Sequence, residues 1–131
     1  MKKILITIFV FIVFFLTINN FAQAIQNKII ANVGNQIISS YELKNKIKTV
    51  VFLNKRKLNQ EIIDQTKNQA LRELIDFKLK KNEVEKFDII ANNENVQNHL
   101  KRISNIFDIN NIGLNKVFEN NQLDYELYYE E

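Results

Sequence analysis

The 131-residue chain carries 18 Lys and Arg against 15 Asp and Glu, one His, and no Cys, Pro or Trp. Without Cys it can form neither a disulfide nor a thiolate metal site, and a single imidazole cannot supply a His-rich one. The formal charge of +3 falls to +1 once Lys2 and Lys3 are set aside with residues 1–24, so the basic footprint that nucleic-acid binding requires is missing and no nucleic-acid partner is expected.

The apolar content is concentrated at the start. Lys2 and Lys3 precede a run from Ile4 to Ile18 whose polar members are Thr7 and Thr17, followed by Asn19, Asn20, Phe21, Ala22, Gln23 and Ala24. This is the pattern of a secretory signal peptide, with Ala22 and Ala24 presenting small side chains to a signal peptidase and cleavage after Ala24. As an uncleaved span the run is short: 15 residues at about 1.5 Å each cover roughly 22 Å of a hydrocarbon layer about 30 Å thick. The expected organisation is a signal peptide over 1–24 and a helical domain over 25–131, exported to the periplasm with no stable membrane anchor after cleavage.

Beyond the leader, Lys28–Val33 and Gln36–Ile38 are short β-prone runs joined by Gly34-Asn35, a pair suited to a two-residue hairpin turn. Ser39-Ser40-Tyr41-Glu42 fits a capping box, so a helix starts there, with Leu43, Ile47, Val50 and Val51 on its apolar stripe and an end near Asn54 to Lys57. Asn59 caps a longer helix over about Gln60 to Lys86, carrying Ile62, Ile63, Ala70, Leu71, Leu74, Ile75 and Leu79, with an expected i,i+4 pair between Asp76 and Lys80. Phe87, Ile89 and Ile90 form an apolar connector. A third helix spans about Asn93 to Ile106, with Val96, Leu100, Ile103 and Phe107 at steps of four, three and four. A short helix follows Gly113 with Leu114, Val117 and Phe118, and Asp124 caps a last one bearing Tyr125, Leu127 and Tyr128. With two turns and no C-cap, that last helix is far below the ~12 residues at which isolated helices become marginal. The fold class expected is mainly α: a short N-terminal β-hairpin, then a bundle of about four to five helices, C-terminally truncated.

Few residues carry reactive chemistry. His99 flanks the third helix's apolar stripe with no carboxylate at i+4 and no His or Cys co-ligand, and reads as a semi-exposed helix residue. Glu83 and Glu85, and Glu130 and Glu131, read as solvated charges. So do Lys44, Lys46, Lys48, Lys55, Arg56 and Lys57, as a solvated helix face rather than a membrane contact. No catalytic residue, metal ligand or cofactor is assigned. The remaining cluster is Phe118, Leu123, Tyr125, Tyr128 and Tyr129, whose aromatic bodies and polar tips can line a groove for extended, aromatic-rich peptides. The competing reading, favoured for Leu127 and Tyr128, is packing against a C-terminal segment beyond Glu131.

Taken in order, Ile30 to Leu43 (hairpin and cap), Ala70 to Leu79 (the Leu-Ile-Asp helix), Asn93 to Val96, Leu114 to Phe118 and Leu123 to Tyr128 resemble the N-terminal domain of SurA-type periplasmic chaperones and peptidyl-prolyl isomerases, over about Lys28 to Glu131. Where that family usually ends its long helix on glycine, this chain has Phe87-Asp88. The resemblance implies a non-enzymatic chaperone module whose partners are unfolded outer-membrane proteins. Family members continue into parvulin-type isomerase domains that this sequence lacks. The chain therefore also reads as a fragment, and the alternatives are the targeting and docking portion of an isomerase or a membrane-tethered relative. Nothing in the residues sets the oligomeric state.

Overall fold

The computed structural model describes residues 27–90, 92–107 and 113–131. The expected signal peptide, with Ala22 and Ala24, lies outside the described residues. Those described form an antiparallel hairpin of β1 (Ile29–Val33) and β2 (Gln36–Ser39), then α1 (Ser40–Leu53), α2 (Gln60–Lys86), α3 (Asn93–Ile106), α4 (Leu114–Asn120) and α5 (Tyr125–Glu130). None of these helices is long and apolar enough to cross a membrane. The mainly helical expectation behind a hairpin holds.

Local sequence explains the element boundaries. Gly34, first of the two turn residues, takes φ +61°, the position at which a type II′ hairpin turn favours glycine. A Cβ there would also sit 2.9 Å from the Asn82 amide of α2, so the turn is tight on both counts. The register slips between Ile29 and Ala31, leaving Ile30 as a bulge residue on β1. Ser39 is the α1 cap as expected: its hydroxyl accepts from the Glu42 amide at 3.2 Å, and the Glu42 carboxylate accepts from the Ser39 amide at 2.8 Å. Asn59 and Asn92 cap α2 and α3 through their side-chain oxygens.

Three helices end alike. Lys55, Asp88 and Gln122 adopt φ of 53°, 48° and 55°, in the left-handed region. The following amides of Arg56, Ile89 and Leu123 return to the carbonyls of Val51, Val84 and Phe118 at 3.0, 3.0 and 2.9 Å. The left-handed residues' own amides reach Phe52, Glu85 and Glu119. This is the Schellman termination, built without glycine. Asp88, at the corner where the resemblance led to glycine being expected, thus ends α2 in the left-handed conformation that glycine usually supplies.

α1 and α2 are antiparallel, since Glu42 pairs with Lys78, Lys46 with Glu73, and Arg56 with Gln65. Between them and the hairpin lies a first core of Val33, Ile38, Leu43, Ile47, Val51, Ala70 and Leu74. A second core joins Leu114, Phe118 and Leu123 to Phe52 of α1, Leu100 and Ile103 of α3, and Tyr125 and Tyr128 of α5. α1 serves both. At about 100° per residue, Leu43, Ile47 and Val51 share one face, while Asn45, Thr49 and Phe52 share the opposite one. Asn45 and Thr49 are buried, although their polarity had kept them off the expected stripe. Leu79, placed on the α2 stripe by spacing, is 51% exposed because the stripe drifts off the contact as α2 runs past the start of α1. The Asp76–Lys80 pair is not among the ion pairs of the described residues, and both side chains stand in solvent.

Candidate functional site

α5 has six residues and survives because other elements hold it. Asp124 caps it, its Oδ1 accepting from the Leu127 amide at 3.2 Å. The same carboxylate accepts from the Tyr41 hydroxyl at 2.9 Å through Oδ2. That hydrogen bond, together with burial and the Asp124 charge, raises the Tyr41 phenol above its ordinary value, so it remains a donor. Asn45 of α1 accepts from the Asp124 amide at 2.9 Å and donates to its carbonyl at 3.4 Å. Lys48 donates to the Gln122 carbonyl, Lys81 pairs with Glu130 at 3.4 Å, and Lys46 pairs with Glu131.

These contacts correct part of the charge reading. Glu130 and Glu131 are ion-paired to the body of the domain, and the Lys46 side chain is only 15% exposed between Glu73 and Glu131. Lys55 remains exposed but also finds partners, donating to the Ile106 carbonyl at 3.0 Å with its ammonium 5.5 Å from the Phe107 ring centre. Helical spacing alone gave these residues a solvent-facing position; α5 returning over α1 partly covers the Lys46 and Glu131 side chains, while Lys55 and Glu130 stay exposed as expected but are paired.

With α5 fixed, the aromatic residues singled out by sequence come together. Phe118 is fully buried, with the Tyr125 ring edge-on at 5.7 Å, the Tyr128 ring tilted at 4.9 Å and the Phe52 ring edge-on at 5.9 Å. Phe52 also stacks on Phe107 at 4.7 Å. Leu123 is buried in the same cluster, and Tyr129, 46% exposed, lies 6.0 Å from Tyr125. Phe118 and Leu123 are therefore buried in the core beneath the cluster. Of the five, Tyr128 and Tyr129 border a groove of about 460 Å³ between α3 and α5, whose other walls are Asn95, Val96, His99, Leu100 and Glu131; Phe118, Leu123 and Tyr125 do not line it. His99 Nε2 lies 3.2 Å from the Tyr128 hydroxyl, so the lone imidazole orients a tyrosine tip at the groove. Burial, then neighbouring tyrosine and glutamate side chains, raises the Tyr125 and Tyr128 phenols. Tyr128 packs on Phe118, and Leu127 faces Glu42, Leu74 and Phe77, so both find partners within the chain.

Sequence reasoning did not identify Asn45 or Tyr41 as the residues positioning this site. The available signal was Asn45, Thr49 and Phe52 recurring at four and three, which reads equally well as a wet face. Chemically the groove offers apolar walls with phenol and imidazole tips. Among the described residues, no three His, Cys, Asp or Glu side chains gather where one ion could bind them.

A hairpin-headed helical module with two small cores and an open aromatic-lined groove is what the fold defines. The profile of the SurA-like N-terminal domain matches residues 1–129, and the chain belongs to that family. No curated protein and no solved structure gave a match. The family resemblance read from the residues is correct.

Proposed function

We propose that the protein is a non-enzymatic, periplasmic chaperone module that holds unfolded segments of outer-membrane proteins, and that the α3–α5 groove is a contact site for their apolar and aromatic side chains. The observation carrying this reading is the groove itself: a volume of about 460 Å³ with a mainly apolar lining, left open beside a fully buried Phe118 and edged by tyrosine. Tyrosine gives large contact area at low side-chain entropy cost, which suits weak and adaptable binding of extended chains. Membership in the SurA-like N-terminal domain family supports a chaperone-type module.

The test is suppression of aggregation when a denatured outer-membrane β-barrel protein is diluted from urea, with light scattering as readout. Tyr129→Ser combined with Val96→Gln alters the rim without touching Phe118 and should lower suppression several-fold. Suppression equal to that of the unaltered protein would remove the groove, and no suppression by either would remove the chaperone reading. The protein should not accelerate prolyl isomerisation of a model peptide.

A further inference from the structure

A second depression lies where β1 meets α1 and the start of α2. Its volume is about 640 Å³, and Ile30, Leu43, Ile47, Leu58 and Ile63 form an apolar floor. Lys44, Lys48 and Lys67 stand around it against one carboxylate, Asp64, which accepts from Gln60. Beyond Lys48 and Leu58 the depression continues into a smaller one of about 160 Å³ that reaches Arg56. The aromatic groove is different: its walls include Glu131 and neither Lys nor Arg.

The lysines lack counter-charges. Among the described residues, no carboxylate lies within ion-pairing distance of Lys44, Lys48 or Lys67. Burial and the charge of Lys44 push the Lys48 ammonium below its ordinary value, as expected of like charges over an apolar floor.

We propose that this groove binds an extended polypeptide segment in which apolar side chains alternate with carboxylates, the apolar ones lying on the floor and the carboxylates meeting Lys44, Lys48 and Lys67. The proposal rests on the reading that the protein holds unfolded polypeptide, and adds a preference for charge. Spacing supports it: Lys44 and Lys48 are one helical turn apart, about 6 Å along α1, close to the roughly 6.6 Å between alternate residues of an extended chain. The depression is elongated and open along α1, which favours a peptide over a single acyl chain needing enclosure.

The test measures fluorescence anisotropy of three labelled peptides of equal length: one alternating Leu and Glu, one alternating Leu and Lys, and one neutral and aromatic-rich. The Glu peptide should bind about tenfold tighter than the Lys peptide at low salt, the preference shrinking as salt rises. Lys44→Glu with Lys67→Glu, both at exposed positions, should reverse that ranking and leave the aromatic peptide unaffected. Lys48 is kept, because it holds the Gln122 carbonyl.

An unreversed ranking, or equal affinity for the Glu and Lys peptides, would overturn the proposal while an aromatic peptide still bound left the chaperone reading standing. Failure of every peptide would overturn both. Displacement of the Glu peptide by phosphatidylglycerol vesicles, with the same dependence on Lys44 and Lys67, would assign the groove to lipid instead.

Discussion

Asn45 on α1 and Asp124 at the head of α5, 79 residues apart, exchange two hydrogen bonds, the Asn45 amide standing in for a backbone peptide unit. Asn45 is 8% exposed, so the exchange takes place largely out of water. It fixes the start of α5 against α1, and with it the tyrosines that edge the aromatic groove.

Asn45→Leu should therefore cost about 2 to 3 kcal/mol, because the Asp124 amide loses a buried acceptor as well as a bond. Near-ultraviolet tyrosine circular dichroism should change and amide protection in α5 should fall, while α2 remains protected. Uniform loss across α2 and α5 would show that the exchange supports the whole domain rather than the docking of its end.

The left-handed helix ends predict stabilising changes. Such a conformation costs an ordinary residue roughly 1 to 2 kcal/mol relative to glycine, part of which glycine returns through its freer unfolded state. Gln122→Gly should raise stability by about 0.5 to 1 kcal/mol in urea titration. Asp88→Gly should gain at least as much, since it also removes a negative charge from the C-terminal end of α2. Asp88→Val should destabilise.

Acid should weaken the α1–α2 contact through two carboxyl groups. Burial raises Glu42, but its hydrogen bonds to Lys78 and Ser39 and the Lys78 charge outweigh that and hold it below its ordinary value. For Glu73, burial is likewise outweighed by Gln69 and Lys46. A carboxyl depressed in the folded state contributes stability that is complete above the unfolded value, about 4.3, and is lost as pH falls through the folded one. Urea midpoints should decline below about pH 5. Glu42→Gln keeps a capping acceptor, so it should flatten that decline and cost about 1 to 2 kcal/mol at neutral pH. An unchanged acid limb would reassign the pH dependence.

Thr49 is 3% exposed, and its hydroxyl has no hydrogen-bond partner among the described residues. Thr49→Val replaces that oxygen with a methyl group of similar size, and should raise stability by about 1 kcal/mol. A loss of stability would mean that the hydroxyl is satisfied in solution.

The hairpin, the Ser39 cap and the boundaries of α2 and α3 were legible because each is written within a few residues: Gly34 beside Asn35, Ser39 three before Glu42, apolar side chains at three and four. The five residues of the aromatic cluster were legible as a set for the same reason. Which of them would be buried core and which would line the groove was not, because that depends on Phe52 of α1 and on where α3 and α5 come to rest. Nor did spacing separate Asn45 and Thr49, or Lys46 and Glu131, from solvated side chains. A polar residue on a helix has the same local pattern whether it meets water or a partner 79 or 85 residues away. The difference is a matter of desolvation and pairing across the fold, and it arises only when α4 and α5 close over α1.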